Sequence, residues 1–242
     1  MPRGTRRGKY GNEALDEREA VQVIPTFLRP PSGRRTLRVT FYGAHSDDIE
    51  IGCGGTILSL VEAGIGLEVR WAVMTAVGPR ATEARRGARA FLTGTRRSDV
   101  VLADFRDGYM PFDGARAKEF LESHRASGPE PDVIFTHFRH DRHQDHRLMS
   151  DLVWNTYRDH LVLEYEIPKY DGDLGVPNAF MPLSAAVARR KVRHLQRVFA
   201  SQRSKRWFTE DTFRGLMRLR GIECGAPDGF AEGFHARKLR LA

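Results

Sequence analysis

Cysteine is scarce in this chain: two among 242 residues, Cys53 and Cys224. So few thiols exclude a disulfide framework as the source of stability, and a reducing, cytoplasmic setting is the expectation. Long apolar runs are also missing, and the longest fall far short of the roughly 20 residues that a membrane-spanning helix needs. The N-terminus is basic but has no apolar run behind its arginines, so it does not read as a secretory signal. Acidic residues are in the minority, with 31 Asp and Glu against 39 Lys and Arg and a formal net charge of +8. From Arg189 to Arg240 fourteen basic residues stand against five acidic ones. That imbalance suits an anionic partner such as a phosphate, a nucleotide sugar, an anionic lipid surface or nucleic acid. Arginine dominates the whole chain, however, and basic charge alone is not a sequence code. A solvated helix face is therefore favoured over a nucleic-acid footprint, and no nucleic-acid partner is expected.

What remains is an ordinary apolar fraction, 40 %, enough to bury one large α/β core. Residues 1–35 read as a basic extension carrying Pro30-Pro31 and a short edge-strand candidate, Val21–Ile24. Residues 36–242 read as a single domain. Within it strand-like and helix-like patterns alternate. Strands are predicted at Leu37–Tyr42, Leu67–Thr75, Asp99–Leu102, Val133–Thr136 and Val162–Glu166. Helices are predicted at Gly54–Ala63, from Ala81 to Leu92, and at Ala115–Ser127, Asp145–Arg158 and Ala185–Phe199. Gly52-Cys53-Gly54-Gly55 reads as a glycine-rich turn, with Cys53 as a small packed residue. This alternation predicts a Rossmann-like, mainly parallel sheet with helices on both faces.

Two acidic–histidine clusters stand roughly a hundred residues apart: Ala44-His45-Ser46-Asp47-Asp48 and His143-Gln144-Asp145-His146. Each follows a predicted strand, and in open parallel sheets ligands bind at the carboxyl ends of strands. Adjacent carboxylates repel unless a cation lies between them or one takes a proton. Together the clusters can supply two neutral nitrogen ligands, a carboxylate ligand and a spare carboxylate, which is the donor set of a catalytic divalent metal with an open position for water. Taken alone, Asp47 and Asp48 would be helix caps more often than catalysts, and His143 and His146 a polar surface loop. The joint pattern is the stronger signal. His137, His140 and Asp141 read as polar residues of the same loop, and the roles of Glu164, Glu166 and Lys169 stay open.

The segment Gly43–Thr56, together with His143-Gln144-Asp145-His146-Arg147, closely resembles the LmbE-like/PIG-L family of metal-dependent N-deacetylases. These enzymes remove acetyl groups from N-acetylglucosamine-containing glycoconjugates. Their first motif usually reads Ala-His-Pro-Asp-Asp, and here Ser46 replaces the proline. Arg80-Ala81-Thr82-Glu83, Asp107, and Lys191 through Ser201-Gln202 are similar to further family features, so the resemblance runs from about Leu37 to Phe234. It implies His45, Asp48 and His146 as metal ligands and Asp47 as general base. It implies His143 as the oxyanion stabiliser, best as imidazolium, with Asp145 holding it charged and oriented. Arg80 and Asp107 would hold sugar hydroxyls or a phosphate. A positive residue at a helix start gains nothing from the helix dipole, which also hints at a role for Arg80.

Zinc is the expected cofactor, and the same donors suit ferrous iron. The expected partner is an N-acetylated amino sugar, and the arginine richness would suit one that bears a phosphate. Two other readings compete: an amidase acting on a bulkier conjugate with the same site, and a non-catalytic basic protein that binds glycan or nucleic acid.

Overall fold

The computed structural model describes residues 28–239. The edge-strand candidate Val21–Ile24, and most of the segment read as an extension, lie outside those residues. Seven strands form one sheet in the order β3-β2-β1-β4-β5-β7-β6. The first five are β1 (Thr36–Gly43), β2 (Gly66–Val73), β3 (Arg97–Leu102), β4 (Val133–His137) and β5 (Leu161–Tyr165), all parallel. β6 (Ala179–Leu183) and β7 (Phe230–Ala236) follow, with β7 antiparallel to both of its neighbours. Helices α1 (Asp48–Glu62), α2 (Gly78–Phe91), α5 (Ala185–Val198) and α6 (Glu210–Glu223) pack on one another on one face. α3 (Gly114–Ala126) and α4 (Gln144–Thr156) cover the other. The mainly parallel α/β sheet read from the sequence is therefore present. The central strands are buried because helices cover both faces, as in β4, where every residue of Val-Ile-Phe-Thr-His is buried.

Strand order decides where a ligand can sit. β1 leads to β2 on one side, and the chain later returns to lay β4 on the other side of β1. The crevice between the carboxyl ends of β1 and β4 is thus the switch point of the sheet. The register sets Phe41 opposite Phe135, so the loops after Gly43 and His137 leave side by side.

The expected glycine-rich turn is instead the first half of α1, which begins at Asp48. A Cβ on Gly52 would lie 2.3 Å from the Tyr165 ring, on Gly54 2.5 Å from Phe91, and on Gly55 2.6 Å from Leu183. These glycines serve close packing of the helix, and Cys53 among them is fully buried. The helix ends near the predicted Ala63, and Gly64 just beyond takes a φ of +74°.

Close approach gives α1 unusual partners. Lys191 of α5 donates to the Ile51 carbonyl and, at 2.6 Å, to Glu232 of β7. Glu232 in turn accepts from the Gly55 N–H at 2.7 Å and from the Thr56 hydroxyl at 2.6 Å.

β6, α6 and β7 carry no clear pattern in the sequence. Pro182 interrupts β6, which tolerates it as an edge strand, and β7 contains Glu232, Gly233 and His235, all buried or nearly so.

Two measurements check this packing. Gly52→Ala drives a methyl into the Tyr165 ring, and overpacking of this kind costs roughly 1–3 kcal/mol. The chemical-denaturation midpoint falls accordingly, and a midpoint equal to the parent's contradicts the tight contact.

The second concerns His124, buried on α3 with its Nδ1 2.7 Å from the Tyr42 hydroxyl. Burial, then the Arg70 charge, pushes this imidazole down to about 4. The unfolded chain binds the extra proton between that value and about 6.5, so stability is full above 6.5 and falls as the pH drops towards 4. At about 1.36 kcal/mol per unit, the share due to this residue is on the order of 3 kcal/mol. His124→Phe flattens the pH dependence of unfolding by that share, and an unchanged slope contradicts it.

Candidate metal and catalytic site

The first cluster sits on the β1–α1 connection. Asp47 occupies the cap position of α1, yet its side chain makes no capping bond. It reaches Arg80 of α2 at 2.5 Å instead. Capping, the ordinary use of an aspartate here, is not what Asp47 does. Asp48 is the first residue of α1, and its Oδ2 accepts from the His45 N–H at 2.6 Å. The second cluster opens α4, where the His143 side chain is the cap and accepts from the Asp145 N–H at 3.3 Å.

Three ligand atoms converge between the two loops. His45 Nδ1 lies 3.0 Å from His146 Nε2 and 3.2 Å from Asp48 Oδ2, and His146 Nε2 lies 3.5 Å from the same oxygen. Bonds of 2.0–2.1 Å in a tetrahedron require donor separations of about 3.4 Å. The distal nitrogens are already engaged. His146 Nδ1 donates to Asp141 Oδ2 at 2.9 Å. His45 Nε2 faces Asp107 at 3.1 Å and Asp145 at 3.3 Å. With those protons committed to carboxylates, two nitrogen lone pairs and a carboxylate oxygen face one another. Such a set calls for a cation or for extra protons, and donors this close together fit a divalent metal.

Overlapping groups in the same place are less suited. His137 Nε2 is 3.2 Å from Asp48 but already accepts from the Ala44 N–H at 2.9 Å. His143 spends its Nδ1 on the Asp145 N–H.

Charge follows this arrangement. Burial opposes ionisation of Asp48, but His146, His137 and His45 hold its carboxyl well below the usual range. Burial likewise opposes charge on His45 and His146, but Asp48 together with Asp107 and Asp145 around His45, and with Asp141 beside His146, outweighs it and raises both. Asp47 behaves differently. Burial pushes its carboxyl up, Arg80 pulls it down, and Asp48 adds to the rise. One member of the aspartate pair is thus firmly anionic while its neighbour is biased towards holding a proton.

Most residues named from the sequence are brought together, with different partners for three of them. The Asp145 carboxylate accepts from the Gly108 N–H at 2.7 Å and the Met110 N–H at 3.1 Å and faces His45. It meets His143 through its backbone rather than its carboxylate. The expected imidazolium at His143 is also corrected: burial, then His146 and His45, pushes this ring down to about 4, so it is neutral near pH 7. With Nδ1 accepting, its proton sits on Nε2, and the ring can still donate one hydrogen bond. Arg80, expected on substrate, is held by Asp47, by Glu83 at 3.0 Å and by Ser201 at 3.3 Å. Asp107 keeps a side chain 76 % exposed while touching His45.

Three residues read as bland or open take part. Asp141 orients His146, His137 stacks on the His146 ring at 3.9 Å, and Lys169 lies 3.0 Å from Asp141. No spacing rule flags them, because the turn closed by the Asp141 N–H on the Phe138 carbonyl is what brings Asp141 back to His146. Glu164 and Glu166 do not enter the cluster. Glu164 is buried against Arg139 and Arg237, and Glu166 against Arg220.

A test of the Arg80 contact follows from its distance to Asp47. An arginine beside an aspartate lowers the carboxyl by about 1–3 pH units. Arg80→Met therefore moves the acidic limb of the pH profile of kcat/KM upward by about one unit or more, and an unmoved limb contradicts the pairing.

Residues 40–157 match the model of PIG-L, the GlcNAc-PI de-N-acetylase family. None of the curated proteins compared is a significant match. Solved structures resemble the chain at low identity. An N,N'-diacetylchitobiose deacetylase from Pyrococcus horikoshii is 21 % identical with a TM-score of 0.63, covering 83 % of each chain. GalB, a 4-carboxy-2-hydroxymuconate hydratase from Pseudomonas putida KT2440, is 17 % identical with a TM-score of 0.65, covering 86 % of this chain and 98 % of its own. The zinc-inhibited form of the teicoplanin deacetylase Orf2 is 13 % identical with a TM-score of 0.64, covering 82 % of this chain and 97 % of its own. One fold thus carries more than one activity among these proteins. The family match over residues 40–157, the paired motifs at the switch point and the shared architecture make this chain similar to the LmbE-like/PIG-L family.

Proposed function

We propose that this protein is a metal-dependent amide hydrolase that removes the acetyl group from an N-acetylated amino sugar. The observation that carries the proposal is the convergence of His45, Asp48 and His146 on one point, with the buried Asp47 carboxylate beside it. His45, Asp48 and His146 would hold the metal, with zinc the first choice and ferrous iron the second. Bound there, a divalent cation supplies Lewis acidity towards the amide carbonyl and an acidified water.

The remaining steps belong to the chain's own residues. Asp47 takes the proton of the attacking water and returns it to the departing amine. Arg80 keeps Asp47 ionised enough to accept that proton and fixes its direction. His143, neutral, donates its Nε2 proton to the oxygen that becomes negative as the carbonyl is attacked. Asp145 and Asp141 hold the two ligand imidazoles in the tautomers that present Nδ1 of His45 and Nε2 of His146. Asp107, exposed at the mouth, is available to sugar hydroxyls.

Arg106 and Lys205 stand close by. The Arg106 guanidinium lies over the Tyr109 ring at 3.6 Å, and the His45 bond, with the lesser help of the His143 and Lys205 charges, holds the Asp107 carboxyl down. Arg106 and Lys205 both support an acceptor that carries negative charge, phosphate included. Among the described residues no helix is long and apolar enough to cross a membrane, and both cysteines are free. A reducing, cytoplasmic compartment suits such a protein.

Acetate release from a panel of N-acetylglucosamine compounds, with and without phosphate, tests the proposal. The protein is assayed as isolated, after chelation, and after zinc or ferrous iron is restored. Activity that vanishes with chelator and returns with metal is the expected result. Asp47→Asn keeps the metal and loses about 10²–10⁴ in rate, and a variant with parental turnover contradicts the assignment. Turnover of bulky amides alone shifts the reading to an amidase. Salt-sensitive glycan binding that survives metal removal, without acetate, favours the binding-protein reading.

A further inference from the structure

Lys169 lies in the connection between β5 and β6, and its side chain is 7 % exposed. A lysine buried to that extent needs partners. Its Nζ sits 3.0 Å from Asp141 Oδ2 and 2.8 and 2.6 Å from the two oxygens of Asp173. Asp141 serves the second cluster itself, and Asp173 the residue just before it. Asp141 Oδ1 accepts from the His143 N–H at 2.8 Å, and Asp141 Oδ2 accepts from His146 Nδ1 at 2.9 Å. Asp173 Oδ2 accepts from the Arg142 N–H at 2.5 Å. One ammonium therefore joins two segments distant in sequence. It does so at the oxygen that orients the His146 ring.

We propose that Lys169 is a positioning residue for the metal centre. Through Asp141 it holds the His146 ring with Nε2 aimed at His45 and Asp48, and through Asp173 it ties the β5–β6 connection to the same loop. The inference rests on the metal reading given above and adds a residue to it.

The physical argument is one of charge and direction. Asp141 is 3 % exposed and Asp173 7 %, so neither carboxylate has enough water to disperse its charge. Lys169 is the cation between them. Without it the two carboxylates repel, and Asp141 is free to turn from His146. The ring then loses the acceptor that fixes its tautomer. Loss of such an outer partner typically costs a metal site 10–100-fold in affinity. The two contacts of Lys169 also make separable demands, since only the one to Asp141 leads to the metal.

The test is zinc affinity of the full chain, measured by competition with a chelating dye, alongside thermal unfolding of the zinc-free protein. Lys169→Met is expected to weaken zinc binding by about 10–100-fold. Lys169→Arg, which keeps the charge, restores most of the loss. Asp173→Asn leaves zinc affinity close to the parent's, because the contact to Asp141 survives. The inference is overturned if Lys169→Met binds zinc as tightly as the parent. It is equally overturned if Lys169→Arg is as weak as Lys169→Met, or if Asp173→Asn is as damaging as either. Should Lys169→Met fail to unfold cooperatively, the double variant Lys169→Met/Asp173→Asn removes the unpaired carboxylate with the cation. Weakened zinc binding in that protein supports the inference, and parental binding overturns it. A parent chain that binds neither zinc nor ferrous iron is a different result: it defeats the metal reading itself, and this inference with it.

Discussion

Two imidazoles that have each given their distal nitrogen to a carboxylate are the constraint on which the rest depends. His45 leans on Asp107 and Asp145, and His146 on Asp141. Their remaining nitrogens, with Asp48 Oδ2, then crowd to 3.0–3.5 Å of one another. In a buried place this cluster of acceptors is unfavourable without a cation. The sheet makes the crowding possible by placing the ends of β1 and β4 side by side, and the Ala44 N–H bonded to His137 at 2.9 Å stitches them together.

Around this centre lie charged contacts that join distant parts of the chain. Arg80, Glu83 and Ser201 link α2 to the turn after α5, with the Ser201 hydroxyl 2.6 Å from Glu83, and they end on Asp47. Lys191 and Glu232 link α5 and β7 to the backbone of α1. Buried ion pairs add little net stability compared with apolar packing. What they do here is fix α1, whose first residue is Asp48. The C-terminal basic region is partly absorbed in the same way, because Lys191 and Arg220 are buried against Glu232 and Glu166. Its charge is therefore a poorer guide to an anionic partner than its composition suggested.

Much of this was legible in the sequence. Strands of β-branched and aromatic residues alternating with helices announced the parallel core. The two acidic–histidine clusters announced the site, because each followed a strand. Glycines 52, 54 and 55 misled, since a turn and a closely packed helix both call for glycine and only the neighbours Tyr165, Phe91 and Leu183 distinguish them. β7 was hidden because its Glu232 and His235 are buried for reasons of pairing rather than apolarity. At the site, residue identities were readable but partners were not. Asp145 is adjacent to His146 and near His143 in sequence, yet its carboxylate turns to His45 and to two backbone N–H groups. Asp141 and Lys169 gave no signal, because a loop turn and a second loop bring them in.

The central claim is that three residues from two loops make one metal site that hydrolyses an amide. Its most direct test measures bound metal and acetate release together in the parent, His45→Ala, His146→Ala and Asp47→Asn proteins. The account predicts one metal per chain in the parent and in Asp47→Asn, little or none in the two histidine variants, and acetate from the parent alone. Metal retained at the parental level in both histidine variants would contradict it.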